Sequence, residues 1–199
     1  MSITTPKKKL PRLILLGSLM LPLLSACNGG PDNSEALSHL NRADTYAEQG
    51  QYRSAILEIK NAIQTEPENV SHITRLGELY LQLGANRQAI ELLEPWLKDH
   101  PTIVALPLAR AYVEERKHLS ATETLALAKP ESSAETLEAA LIEAEAMRLS
   151  GNLDEAVAAY RSLSNNYSTN ADAITGLLES HIQQGNTRAA LGAANDWLA

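Results

Sequence analysis

Phenylalanine is absent from the 199 residues, aromatic residues make up only 4%, and there is a single cysteine. A core without large rings has to be filled by alanine and leucine, which recur along the whole chain. Both are strong helix formers, so the composition points to an all-α protein with helix packed on helix. One cysteine excludes an intrachain disulfide. No apolar run reaches the ~20 residues that a membrane-spanning helix needs.

Positive charge is also scarce. There are 17 Lys and Arg against 24 Asp and Glu, a net charge of −7. Lys7, Lys8, Lys9 and Arg12 stand at the front with no acid among them, so losing those four bases would take −7 to −11. Such a chain offers no basic stripe for nucleic-acid phosphates and no polybasic patch for anionic lipid.

Catalytic and metal-binding patterns are missing as well. His39, His72, His100, His118 and His181 are scattered, and none has a His or Cys partner at metal-ligand spacing. There is no glycine-rich phosphate loop, no G-x-S-x-G elbow and no H-E-x-x-H. Glu143 and Glu145 read as a solvated helix face. The expectation is a non-enzyme without cofactor or metal.

What is present begins at the front. Lys7–Arg12 is a positive segment, Leu13–Leu24 an apolar stretch, and Ser25 and Ala26 are small residues before Cys27. The order is that of a signal peptide over 1–26. Leu24-Ser25-Ala26-Cys27 resembles the lipobox of bacterial lipoproteins. That resemblance implies cleavage before Cys27, a diacylglycerol on its thiol and acylation of the new amine. Two or three acyl chains hold a protein at a bilayer where one does not. Asn28, in place of the aspartate that retains such proteins at the inner membrane, implies an outer-membrane lipoprotein facing the periplasm. Residues 27–35 then read as the lipidated cysteine and a flexible tether of turn formers, with the folded part starting near Glu35.

The rest of the chain repeats with a period of 34. Tyr46 returns as Tyr80, Gly50 as Gly84, Ala55 as Ala89, Pro67 as Pro101, Gly151 as Gly185 and Ala156 as Ala190. Each unit holds two apolar-periodic segments joined by a glycine-containing turn, which predicts a helix hairpin. The alanines mark where the second helix approaches the first, the glycines a left-handed residue ending the first helix, and the prolines a stop after the second.

Ile73, Leu76-Gly77, Tyr80, Gly84, Ala89, Leu93 and Pro101 resemble the tetratricopeptide repeat pattern. The resemblance implies a right-handed superhelical solenoid of antiparallel hairpins over 36–199, in units of about 36–69, 70–101, 102–130, 137–170 and 171–199. Unit three has Arg116 in place of glycine, and a linker of helix breakers, 129–133, follows it. The run from Gly50 to Asn69, with Leu76-Gly77-Glu-Leu-Tyr80 and Leu106-Pro-Leu-Ala-Arg-Ala-Tyr112, is further similar to the start of the tetratricopeptide lipoprotein of the PEP-CTERM/exosortase system, found with exopolysaccharide genes.

In tetratricopeptide arrays the first helix of each unit lines the concave face, with positions 2, 5, 9, 12 and 13 pointing into it. Position 9 falls on Asp44, Glu78, Arg110, Glu145 and Glu179, with Leu40, Leu81, Leu106, Val113, Leu141 and Ile182 around them. An acidic groove with an apolar floor implies protein or peptide ligands with basic segments. Leu191, Trp197 and Leu198 leave an apolar stripe on the last helix, expected either to meet a further part of a longer array or to serve as an oligomer or partner interface. The function expected is a membrane-anchored periplasmic scaffold for exopolysaccharide production or export, or for PEP-CTERM protein sorting. The alternatives are a pilotin-like helper of type IV pilus assembly and an adaptor of cell-wall hydrolases.

Overall fold

The computed structural model describes residues 33–198. The signal segment, Cys27 and most of the tether lie outside the described residues. The described part is ten α-helices arranged as five antiparallel hairpins. They are α1 (Asn33–Glu48) with α2 (Tyr52–Thr65), α3 (Val70–Gln82) with α4 (Asn86–Leu93), α5 (Pro101–Glu114) with α6 (His118–Leu125), α7 (Ser133–Ser150) with α8 (Leu153–Asn166), and α9 (Ala171–Gln183) with α10 (Thr187–Leu198). A 3-10 turn, Glu94–Trp96, extends α4. Each first helix packs on its own second helix and on the second helix of the unit before it, and α3, α5, α7 and α9 also touch in succession. The result is a solenoid whose core falls into three clusters, one shared by units one and two, one spanning units two to four and one shared by units four and five.

The hairpin turns share one geometry. Gly50, Gly84, Gly151 and Gly185 have φ of +70°, +68°, +89° and +75°. The amide after each left-handed residue donates back to position 11 of its unit: Gln51 to the Tyr46 carbonyl at 2.8 Å, Ala85 to Tyr80 at 2.8 Å, Asn152 to Met147 at 3.0 Å and Asn186 to His181 at 2.9 Å. These bonds satisfy carbonyls that the helix end would leave open. Arg116 lacks glycine's freedom, yet Lys117 donates to the Tyr112 carbonyl at 2.8 Å and Arg116 takes φ +59°. Packing of α5 against α6 imposes the turn on a residue that disfavours it.

Close helix approach explains the small residues. Ala55, Ala89, Ala121 and Ala156 have no exposed surface and Ala190 is 6% exposed. At Gly77 a Cβ would lie 2.8 Å from Leu93, and at Gly176 it would lie 2.2 Å from the Tyr160 ring. Large aliphatic side chains complete the core, including Ile59, Leu93, Val104 and Leu108.

Three boundaries differ from the sequence expectation. Helix α1 starts at Asn33, so the end of the expected tether is helical. Pro101 does not end unit two; it is the first residue of α5, where its missing N–H costs nothing and its fixed φ suits a helix start. Helix α7 starts at Ser133, four residues ahead of 137. Ser132 accepts from the Glu135 amide at 3.1 Å, and the Glu135 carboxylate accepts from the Ser132 amide at 3.4 Å. This capping box turns two of the expected breakers into a helix start and leaves 129–131 in the connection between α6 and α7.

Candidate functional site

Two adjoining depressions, of about 680 and 590 Å3, run along the first helices of units two to five. The first lies between α3, α5 and the 129–131 linker. Leu79, Leu81, Ile103, Leu106 and Pro107 form its apolar side, and Arg75, Glu78, Lys129 and Glu131 its rim. Pro107 sits inside α5 and cannot donate to the Ile103 carbonyl, so the helix wall here carries one fewer internal bond. The second depression lies between α5, α7 and α9, with Val113, Leu137, Leu141, Ile142 and the Tyr160 ring as its apolar side. Arg110 and Glu138 border both, and their ion pair at 3.5 Å is the bar between them.

The row at position 9 is placed along this face, but its charges are engaged. Arg75 of α3 binds Asp44 of α1 at 2.7 Å and Glu78 at 3.4 Å. Arg148 of α7 grips Glu145 through both carboxylate oxygens and reaches Glu179 of α9 at 3.2 Å. The Tyr160 hydroxyl donates to Glu145 at 2.8 Å. Burial, with the neighbouring Glu145 carboxylate, pushes the Tyr160 hydroxyl well above the usual tyrosine range.

The expected row of four acids and one arginine is therefore taken up in ion pairs, which link α1 to α3, α5 to α7 and α7 to α9. The arginines Arg75 and Arg148 and the acid Glu138 stand at other positions of the repeat, so a reading of one position per unit missed them. Glu145 is not part of a solvated face: its side chain is 22% exposed and fully partnered, while Glu143 is exposed. Leu81, Leu106, Val113 and Leu141 border the depressions. Leu40 packs into the core of the first unit, and Ile182 is exposed outside both. Among the described residues no cluster of His, Cys, Asp and Glu is placed to hold a metal ion, and no helix is long and apolar enough to cross a membrane.

Residues 46–105 match a tetratricopeptide repeat family model, and residues 138–170 match a second model of the same description. The fold is a tetratricopeptide repeat solenoid. Tetratricopeptide arrays are scaffolds for protein–protein interaction, and the two matches with this fold support that role here. Similar solved structures include a point mutant of MamA, 22% identical, with a TM-score of 0.60 over 83% of this chain and 97% of that one. MamA from Desulfovibrio magneticus is 13% identical, with a TM-score of 0.64 over 82% and 93%. A tetratricopeptide repeat protein from Parabacteroides merdae is 16% identical, with a TM-score of 0.68 over 81% of this chain and 63% of that one. At these identities the likeness is one of fold. Comparison with curated proteins gave no match.

Trp197 stays 46% exposed, as the expected apolar stripe on the last helix requires, but it is not free to turn. Its indole N–H donates to the Ser168 carbonyl at 3.1 Å, tying the end of α10 to the turn before α9. Leu191 and Leu198 remain 61% and 76% exposed.

Proposed function

We propose that this chain is a lipid-anchored scaffold of the cell envelope. Cys27 carries the lipid, the array stands on the periplasmic side of the outer membrane, and its concave face gathers components of a machine for exopolysaccharide export or PEP-CTERM protein sorting. The observation that carries the interaction role is the pair of adjoining depressions on the first helices, apolar on one side and rimmed by charge. A groove of this kind suits a peptide segment of a partner, with apolar contacts giving affinity and the rim giving orientation. The anchor rests on the order of positive, apolar and small residues before Cys27.

Two experiments test the reading. Cys27→Ser should move the protein from the membrane fraction to the soluble or unprocessed fraction; a mature lipidated band in that variant would overturn the anchor. Affinity capture from detergent-solubilised envelopes should return partners whose recovery drops when Leu106→Asp is placed in the groove. Undiminished recovery with a folded variant would sink the groove as the interaction surface.

A further inference from the structure

We propose that the depression between α5, α7 and α9 is where the groove reads charge, and that its occupant is a peptide segment with Lys or Arg beside aliphatic side chains. This rests on the groove reading above and adds the chemistry of the partner and the residues that select it. The two depressions are not equivalent. Around the first, Arg75, Arg110 and Lys129 stand against Glu78, Glu131, Glu135 and Glu138, and Glu135 is taken up by the capping box.

Around the second, Glu114, Glu138, Glu145, Asp172 and Glu179 face only Arg110, with Arg148 behind them. Glu138, Glu145 and Glu179 are held by those two arginines. Glu114 and Asp172 are left exposed and have no ion-pair or hydrogen-bond partner among the described residues. They belong to α5 and α9, whereas Val113, Leu137, Leu141 and Ile142 supply the apolar wall from α5 and α7.

Such a wall accepts leucine-like side chains, and two unpaired carboxylates on its border favour a cation next to them. A carboxylate-bearing peptide would instead meet uncompensated like charge. The residues that read charge are therefore Glu114 and Asp172, not the position-9 row, whose carboxylates are occupied by Arg75 and Arg148.

The test uses the full chain in detergent and three labelled synthetic peptides of equal length and leucine spacing, with lysine, glutamate or serine between the leucines. By fluorescence anisotropy the lysine peptide should bind best and weaken as salt rises. Glu114→Gln and Asp172→Asn should each loosen it about three- to fivefold, and the pair about tenfold or more. Glu91→Gln on α4 should change nothing. Thr175→Arg, an exposed position at the edge of the same depression, should abolish lysine-peptide binding and favour the glutamate peptide.

Wild-type affinity in the double variant, equal binding of all three peptides, or no binding of the lysine peptide would overturn the charge reading. Leu141→Asn separates that failure from failure of the groove. If it removes binding of all peptides with helicity by circular dichroism retained, the groove stands and only the charge reading falls. If Leu141→Asn and Thr175→Arg both leave binding intact, the groove reading itself falls.

Discussion

Arg148 of α7 lies 3.2 Å from Glu179 of α9 while holding Glu145 on its own helix, and Tyr160 of α8 closes the same carboxylate from the other side. The guanidinium thus joins α7 to α9, and the Glu145 carboxylate it holds joins α7 to α8. Arg148 is 13% exposed and Glu145 22%, so water screens the pair poorly. Arg148→Met should leave Glu145 half-buried without a counter-charge and cost about 2 kcal/mol of unfolding free energy. Arg75→Met, with a side chain 42% exposed, should cost about 0.5 kcal/mol. Urea unfolding of the two variants checks the difference; equal losses would show that Arg148 is no more than a surface pair.

Arg116 holds a left-handed turn that four glycines hold elsewhere. Arg116→Gly should stabilise the array by about 1 kcal/mol, or roughly 2–4 °C in midpoint for a domain of this size. Gly84→Ala should destabilise by a similar amount. Thermal melts of both variants give the sign directly.

Gly176 and Gly77 look alike in sequence but should respond differently to alanine. At Gly77 the intruding methyl meets Cγ and both methyls of the fully buried Leu93, so an aliphatic side chain has to shift within the core, a cost partly offset because the helix gains from losing glycine. At Gly176 it meets the Tyr160 ring at 2.2 Å, and that ring is fixed by its hydroxyl on Glu145. Gly176→Ala should cost about 2–3 kcal/mol and Gly77→Ala about 1 kcal/mol, measured by chemical denaturation.

Acid and base should each loosen particular contacts. Glu58 is held below the usual glutamate range by hydrogen bonds from Arg42 and then His39, and Glu66 by Asn69 and then His72. A lowered folded pKa means that this stability is present above the ordinary value of 4.5 and is lost as pH falls through the folded values. At the other end, burial and then Glu94 push Tyr112 up to about 12 from 10.0. The unfolded chain ionises first there, so stability should fall as pH rises above 10. Stability curves against pH for wild type, Glu58→Gln and Tyr112→Phe test both limbs. An acid limb unchanged in Glu58→Gln would remove that assignment.

Much of the fold was legible because its signals are local. A left-handed turn needs glycine, close helix approach needs alanine, and both recur every 34 residues, so Gly50 and Ala55 announced their counterparts. Where the expectation slipped, a local rule had two readings. Pro101 can end one helix or start the next, and Ser132-Ser133 can break a helix or cap it; only the neighbouring backbone decided. The groove was half legible. Position 9 of each unit was found, but not that Arg75 at position 6 and Arg148 at position 12 pair with its acids, because those partners follow no shared period.

By itself the sequence determined a helical array of paired segments, the places of its turns and its small-residue contacts, since these depend on φ preferences and side-chain volume a few residues apart. The tertiary structure decided which charges are free. Arg148 and Glu179 stand 31 positions apart in the chain and 3.2 Å apart in space, and Glu114 and Asp172 come to border one depression from different repeats. Charge is read by distance, and distance between repeats is set by how the helices stack.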